Sequence, residues 1–504
     1  MTPTAPFNLA RYVLEAGRAT PDKIALAILG PARSERWSYA RLPQAVEAAA
    51  GGLRAAGLRP GDYLMLRLGN DAHFPLAYLG AIWAGIVPIP TSAALTRPEV
   101  TALCAALPPA AILAGPDIAL PDISAPVLTP DVLRGTAIAC HDTGPDDLAY
   151  IVFTSGSSGR PKPVAHAHRA VWARRMMWEG WYGLRTEDRL LHAGAFNWTY
   201  TLGTGLLDPW AAGATALVPA AGTDPATLGL LAKRHDATIL AGAPGIFRRL
   251  LRQGLPPQPE LRHCPPPLPK LRHGLSAGEA LPVSIRAAWR AATGTDIHEA
   301  LGMSECSTFL SGSPQRPAPE GHIGYAQQGR RLAVVDDQGA PLPDGTEGTL
   351  AVHRSDPGLM LGYIDGAGAA PDLPLTGDLF LTGDRVIRGA DGAYRYLGRR
   401  DALLTAGGYR IAPLEIEAAF DGAPDLSECA ALTLHPTPET SILALAYSGA
   451  ADEDALTRHI TNRLADHKRP RAYIRLAALP RAGNGKLDRR ALAHVVAEAL
   501  KDPP

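Results

Sequence analysis

The residues at positions 154–163 have the composition of a phosphate-binding loop. The segment reads TSGSSGRPKP and combines four hydroxyl side chains, two glycines and two cationic side chains. Glycines let the backbone approach a ligand closely, and backbone N–H groups and hydroxyls then meet its oxygen atoms while the cations neutralise charge. The segment lacks the Gly-Lys-Ser/Thr triplet of a Walker A loop. It therefore predicts nucleotide binding of another type.

The elements that must position this loop favour an α/β fold. An apolar run at residues 148–153, LAYIVF, predicts a buried strand before the loop, and a helix-forming stretch is expected after it. Up to about residue 321, strand-like runs alternate with helical patterns, which predicts a largely parallel sheet covered on both faces. Short strand patterns separated by turns then predict a β-barrel-like subdomain. From about Asp401 onward, the pattern predicts a small α+β C-terminal domain.

Composition limits the class of function. The chain has 504 residues, too many for one compact core, so two or more domains are expected. Its 49 acidic and 49 basic residues balance and give no electrostatic argument for a nucleic acid or an anionic membrane as partner. Five scattered cysteines suggest no disulfide framework or zinc site, which favours a cytoplasmic location. No secretory signal is evident, and the uncharged stretch 74–95 contains too many prolines for a membrane span.

Five motifs in order along the chain resemble those of the adenylate-forming superfamily. After the loop at 154–163 come LGMSE at 301–305, LTGD at 381–384, YLGRRD at 396–401 and LPRAGNGKLDR at 479–489. The superfamily includes acyl-CoA synthetases, luciferase-like enzymes and the adenylation domains of peptide synthetases. Leucine in place of the usual tyrosine at the first position of LGMSE is similar to the benzoate-CoA ligase branch. The resemblance implies an AMP-binding domain over residues 1–400 and a mobile domain over residues 401–504.

The resemblance also implies which residues bind ATP and Mg²⁺. Glu305 matches the glutamate that holds Mg²⁺, and Ser304 matches the hydroxyl that meets the α-phosphate. Asp384 matches the aspartate that accepts hydrogen bonds from both ribose hydroxyls. Arg399 matches the arginine that also contacts the ribose and the phosphate. The other Thr-Gly-Asp triplet, ending at Asp378, is expected to form a turn. The residues matched to the loop over the β- and γ-phosphates are Thr154, Ser155, Gly156, Ser157, Ser158, Gly159 and Lys162.

Other matched residues concern the adenine and the motion of the small domain. Asp401 matches the hinge about which the family turns its C-terminal domain between two half-reactions, although by itself it could be an ordinary loop residue. Lys486 matches the lysine that bridges the attacking carboxylate and the α-phosphate, although Asn-Gly-Lys alone would favour a surface lysine. Arg410 could meet the α-phosphate once the small domain has turned. The residues matched to the adenine site and to the thiol tunnel are Gly278, Glu279, Ala280, Leu301, Gly302, Met303, Gly407 and Gly408.

The acid is expected to bind among aromatic and apolar side chains with no charged anchor. An amino acid would need a carboxylate for its ammonium group, so a benzoate-like or a short- to medium-chain acid is favoured. Two aromatic members of the pocket, at positions 196 and 198, could equally be core residues. The predicted pocket residues are Phe196, Asn197, Trp198, Ala243 and Met303.

These inferences predict an ATP-dependent carboxylate–CoA ligase that works as a monomer or homodimer. Its cofactors would be ATP, Mg²⁺ and coenzyme A, and its partners would include neither a nucleic acid nor a membrane. One alternative is a stand-alone adenylation enzyme that loads the thiol of a separate carrier protein. A second alternative is a nucleotide-binding protein without catalytic activity, against which the presence of Glu305, Asp384 and Lys486 argues.

Overall fold

In a computed structural model, the chain forms two lobes with separate hydrophobic clusters. We call residues 3–400 the large lobe and residues 404–500 the small lobe. The buried clusters around Ile411 and Leu492 contain only small-lobe residues. The boundary predicted at residue 400 stays a prediction. The structure describes residues 3–155, 161–253, 255, 267–366, 369–400, 404–406, 409–437, 440–461, 463–464, 468–482 and 485–500.

The helices are short, and most of them belong to the large lobe. Within the described residues, the α-helices are α1 Leu9–Glu15, α2 Arg41–Ala55, α3 His73–Trp83, α4 Arg97–Ala106, α5 Arg169–Ala173, α6 Thr199–Leu202, α7 Asp208–Ala211, α8 Leu228–Arg234, α9 Pro244–Gln253, α10 Val283–Thr293, α11 Pro413–Ala419, α12 Glu453–Ile460 and α13 Arg489–Ala499. The short 3₁₀ and π segments are Ala16–Ala19, Pro130–Leu133, Trp178–Tyr182, Gly203–Leu207 and Pro225–Thr227.

The strands of the large lobe come first along the chain. They are β1 Ile24–Leu29, β2 Ser34–Ser38, β3 Tyr63–Arg67, β4 Val87–Pro90, β5 Ala111–Ala114, β6 Val127–Leu128, β7 Leu148–Ser155, β8 Pro161–Ala167, β9 Arg189–His192, β10 Thr215–Pro219, β11 Ile239–Gly242, β12 His273–Ala277, β13 Ile297–Met303, β14 Ser307–Ser311, β15 Gly324–Ala326, β16 Leu332–Val335, β17 Glu347–His353, β18 Gly362–Tyr363, β19 Leu379–Arg388 and β20 Ala393–Arg399. The small lobe adds β21 Leu404–Ala406, β22 Tyr409–Ile411, β23 Leu426–Thr437, β24 Thr440–Gly449 and β25 Ala472–Arg475.

One long mixed sheet carries most of the large lobe. Its strand order is β16-β17-β19-β20-β15-β14-β13-β12-β11-β9-β10-β1-β2. The neighbours from β1 to β13 are parallel, whereas β14 and the strands beyond it are antiparallel. The antiparallel region after residue 321 thus continues the edge of the parallel sheet. The predicted α/β fold class is confirmed.

Two smaller sheets and a buried helix complete the large lobe. The sheet β4-β3-β5-β6 is parallel, and β18-β8-β7 is antiparallel. Helix α3 carries no Asp, Glu, Lys or Arg and is buried from Phe74 to Trp83, as its uncharged sequence predicts. Among the helices that the structure describes, none has the length and apolar character needed to cross a membrane.

Two of the described helices in the small lobe, α12 and α13, begin with a capping side chain. The Asp452 carboxylate accepts a hydrogen bond from the N–H of Ala455 at the start of α12, and Asp488 caps α13 in the same way. Such caps satisfy donors that the helix itself leaves unpaired. In the large lobe, α10 follows Pro282, which has no side chain able to cap it. The first turn of α10 is therefore open to a cap from elsewhere.

Candidate active site

The phosphate loop joins two antiparallel strands, so the chain continues after the loop as strand β8 and reaches helix α5 at Arg169. Strands β7 and β8 pair so that Thr154 lies opposite Lys162 and Ser155 opposite Pro161. The Lys162 Nζ lies 5.1 Å from the centre of the Tyr363 ring. The matched loop residues Gly156, Ser157, Ser158 and Gly159 lie outside the described residues, and only the backbone of Ser155 is described. The hairpin therefore directs Lys162 towards Tyr363 and the residues bonded to it.

Tyr363 connects Lys162 to the candidate magnesium ligand. Its hydroxyl donates a hydrogen bond of 2.9 Å to Oε1 of Glu305, which is buried. Burial raises the pKa of Tyr363, and the charge of Glu305 raises it further. The hydroxyl therefore stays protonated near neutral pH and remains a donor. Its bond fixes the orientation of the Glu305 carboxylate.

The backbone beside Glu305 is held by a neutral histidine. Nε2 of His166 lies 2.8 Å from the carbonyl oxygen of Ser304, and the imidazole stacks on the Tyr150 ring. Burial lowers the pKa of His166 to about 4, so the ring is uncharged at neutral pH and donates through Nε2–H. The described contact of Ser304 thus runs through its carbonyl, which fixes the turn that carries Glu305.

The donor set around Glu305 fits Mg²⁺ bound largely by its nucleotide. Mg²⁺ in such sites takes one or two carboxylates, with phosphate oxygens and water as the other ligands. No group of three or more His, Cys, Asp or Glu side chains suited to a metal occurs among the described residues. A single oriented carboxylate is what a phosphate-bound Mg²⁺ requires from the protein.

Asp384 lies in the middle of β19, opposite Arg399 on β20. It is 3% exposed, and its Oδ1 lies 3.3 Å from the Tyr396 hydroxyl and 3.8 Å from Nη1 of Arg399. Burial raises the pKa of Asp384 to about 6, and Arg399 partly opposes this shift. The other candidate, Asp378, instead forms an exposed ion pair of 3.5 Å with Arg354. The geometry therefore favours Asp384 as the ribose ligand.

Lys486 reaches this region from the small lobe. Its Nζ lies 6.0 Å from the centre of the Trp198 ring. Burial lowers the pKa of Lys486, while Glu279, Asp384 and Glu305 each raise it. The charge of Lys486 thus interacts with three carboxylates, which are matched to the adenine loop, the ribose and Mg²⁺. The structure brings Lys486 into the predicted site.

Because Gly278 has no side chain, Trp198 and Lys486 can pack close to its backbone. It follows β12 with a φ of +99°, a conformation that glycine adopts without strain. A Cβ at this position would lie 2.8 Å from the Trp198 ring and 3.3 Å from Cε of Lys486. The contact brings together the adenine loop, the aromatic residue of the acid pocket and the catalytic lysine candidate.

Glu279 has a role that the sequence did not indicate. Its Oε1 accepts a hydrogen bond of 2.7 Å from the N–H of Leu487 and lies 3.5 Å from Nη1 of Arg481. Both partners belong to the small lobe. The other residues matched to the adenine site stay in the large lobe: Ala280 is exposed, and Leu301, Gly302 and Met303 form the partly buried end of β13.

The five residues predicted for the acid pocket lie in different environments: two pack in hydrophobic clusters, and three line a cavity. Phe196 is 1% exposed and stacks on Phe74 at 5.2 Å, so it is a core residue. Met303 packs against a neighbouring hydrophobic cluster. A cavity of about 390 Å³ is lined by the other three predicted residues, Asn197, Trp198 and Ala243.

Charged side chains also line this cavity, beside the uncharged residues predicted for the acid pocket. The described residues around it include four arginines and one carboxylate, contributed by α9 and by the small lobe. The α9 sequence PGIFRRLLRQ carries three of these arginines, and their spacing was the available signal. The charged lining residues are Arg248, Arg249, Arg252, Glu428 and Arg481.

The described structure covers only part of the residues predicted for the hinge and the thiol tunnel. Asp401, Gly407 and Gly408 lie outside the described residues, and for Arg410 only the backbone, in β22, is described. Their assigned roles in the hinge and the thiol tunnel stay predictions.

The sequence and the fold both match known proteins. Residues 13–364 match the model of the family described as AMP-binding enzyme. Human mitochondrial acyl-coenzyme A synthetase ACSM2A is 28% identical over 97% of this chain and 90% of the relative. Benzoate–CoA ligase from Thauera aromatica is 28% identical over 90% of each chain. ATP-bound MatB from Rhodopseudomonas palustris superposes with a TM-score of 0.85 at 26% identity, over 98% of this chain and 99% of MatB.

Proposed function

Because the chain belongs to the AMP-binding enzyme family, we propose that it activates an aromatic or a short- to medium-chain carboxylic acid and transfers the acyl group to coenzyme A. The chain is an AMP-forming acid–thiol ligase that uses ATP, Mg²⁺ and coenzyme A. The observation that carries the proposal is the position of Lys486 of the small lobe beside Gly278 and Trp198 of the large lobe, with its Nζ 6.0 Å from the centre of the Trp198 ring.

The reaction has two group-transfer steps, and neither changes an oxidation state. A carboxylate oxygen of the acid attacks the α-phosphorus of ATP in line, the bond to the β-phosphate oxygen breaks, and pyrophosphate leaves. The thiol sulfur then attacks the acyl carbon, the thiol proton is released, and AMP departs with the electron pair of the anhydride bond. The first step joins two anions, so positioning and charge neutralisation are its main requirements.

Residues of this chain meet those requirements from several directions. Lys486 supplies a positive charge that approaches from the small lobe and can contact both the acid and the α-phosphate. Asp384 is a buried acceptor for the ribose hydroxyls, and Arg399 balances part of its charge. Glu305, oriented by Tyr363, is the carboxylate available to Mg²⁺. Bound Mg²⁺ would neutralise charge on the phosphates.

The charges of the cavity support the proposed classes of acid and thiol. Its one described carboxylate, Glu428, is paired with Arg248 and Arg481, so it cannot serve the ammonium group of an amino acid without losing those partners. Trp198 gives the cavity an aromatic wall. The excess of arginine suits the several phosphate groups of coenzyme A.

A panel of acids tests this proposal directly. Pyrophosphate release is measured with ATP and Mg²⁺ for benzoate, substituted benzoates, and aliphatic acids of two to ten carbons, and thioester formation is followed by mass spectrometry. We expect acid-dependent release and a thioester in the presence of coenzyme A. Release without any thioester, together with acylation of a carrier protein, would favour the carrier-loading alternative. No release with any acid would favour the inactive alternative.

A further inference from the structure

Three carboxylates supply polar contacts between the small lobe and the large lobe. Oε1 of Glu428 pairs with Arg248 across the boundary and lies 2.9 Å from Nη2 of Arg481. Glu279 holds the N–H of Leu487, the residue after Lys486. These contacts surround the short segment that carries the lysine.

The third contact is a helix cap supplied by the other lobe. Helix α10 of the large lobe lacks a capping side chain of its own, because Pro282 precedes it. Oδ2 of Asp421, which belongs to the small lobe, accepts a hydrogen bond of 2.8 Å from the N–H of Ser284, and Oδ1 accepts one from the Ser284 hydroxyl. A carboxylate at a helix N-terminus also interacts favourably with the helix dipole.

We propose that Asp421 and Glu428 are positioning residues, which hold the small lobe in the orientation where Lys486 reaches the reaction centre. The inference rests on the proposed function, in which adenylate formation needs Lys486 and thiol transfer does not. Both carboxylates meet their partners across the lobe boundary, so a rotation of the small lobe breaks these contacts together. After such a rotation, Asp421 no longer caps α10, and Glu428 no longer pairs with Arg248.

The strength of these contacts suits a reversible arrangement. The Asp421 contact lies at an exposed site, and the Arg248 and Glu428 side chains are about one-fifth exposed. Polar contacts with this exposure shift an equilibrium by only a few-fold each, because water competes for both partners. Several together favour one orientation without preventing the other.

The test compares the two half-reactions in Asp421→Ala, Asp421→Asn and Glu415→Ala. Asparagine can still cap α10, whereas alanine cannot. Glu415→Ala is the matched control, since Glu415 pairs with Lys468 inside the small lobe. We expect Asp421→Ala to slow adenylate formation about fivefold while thiol transfer from supplied acyl-adenylate is not slowed. Asp421→Asn should restore the rate, and the control should match the wild type.

Hydrogen exchange measures the orientation without any acid or thiol. The N–H of Leu487 bonds to Glu279 across the lobes but has no contact with Asp421. We expect its exchange to accelerate about fivefold in Asp421→Ala and to stay at the wild-type rate in Asp421→Asn and Glu415→Ala. Glu428→Gln should also accelerate it. Unchanged exchange at Leu487 in Asp421→Ala, or an equal loss of both half-reactions, would overturn the proposal. Because the exchange readout needs no substrate, it stands even if the acid panel gives no reaction.

Discussion

Asp384→Asn should stabilise the protein while weakening ATP binding. Burial raises the pKa of Asp384 from 3.8 to about 6. At about 1.4 kcal/mol per pKa unit, this shift corresponds to about 3 kcal/mol of stability lost when the carboxylate is ionised in the folded state. Asparagine has nearly the same shape and no charge. At pH 7.5 the free energy of unfolding should therefore rise by up to about 3 kcal/mol in the variant.

The pH dependence gives the sign of this effect. Between pH 6 and 3.8 the folded wild type binds a proton at Asp384 that the unfolded chain does not yet bind. The wild type therefore gains stability from this group as the pH falls through that window, and the advantage of the variant should shrink to about 1 kcal/mol at pH 4.5. Urea unfolding at pH 7.5 and 4.5 measures both values.

The kinetic half of the prediction has a matched control. Asparagine loses one of the two acceptors for the ribose hydroxyls, so the KM for ATP in pyrophosphate release should rise about tenfold or more. Asp378→Asn changes the other Thr-Gly-Asp triplet, where the aspartate is exposed, and should alter neither the stability nor the KM for ATP. A less stable Asp384→Asn protein at pH 7.5, or a stability difference that is equal at both pH values, would refute the reasoning.

Three further substitutions test other parts of the site. Lys486→Ala should slow adenylate formation about 10²- to 10³-fold while sparing thiol transfer from preformed acyl-adenylate, and an equal loss of both steps would contradict its role. Tyr363→Phe removes the donor to Glu305 and should raise the Mg²⁺ concentration needed for half-maximal pyrophosphate release about tenfold; an unaltered Mg²⁺ dependence would count against Glu305 as the ligand. Trp198→Ala should raise the KM for the acid but not that for ATP, and parallel changes in both would place Trp198 outside the acid pocket.

The sequence predicted the parts that local pattern determines. The uncharged helix α3, the change from parallel to antiparallel strands, and the motifs containing Glu305 and Asp384 all follow from contiguous residues. Phe196 and Trp198 could not be separated in this way. They are two residues apart, and the assembled fold buries Phe196 in the same cluster as Phe74 but leaves Trp198 partly buried against another cluster.

The sequence could not predict features that depend on distant pairing. Strand β8 pairs with β7, and its own sequence, PKPVAHA, does not identify that partner. The contact between Arg248 and Glu428 joins residues 180 positions apart, and it depends on how the lobes are oriented. Glu279 was matched to the adenine site, but only the assembled structure shows it holding the segment beside Lys486.

The tight fit at Gly278 offers a way to trap one stage of the catalytic cycle. A single added methyl group there would collide with the Trp198 ring and press against the Lys486 side chain. Gly278→Ala would thus displace the Trp198 ring within the large lobe and crowd Lys486 whenever the small lobe returns, while Glu305 and Asp384 keep their own side chains. Such a variant, supplied with a stable mimic of the acyl-adenylate, is a practical starting point for crystallising the conformation that awaits the thiol.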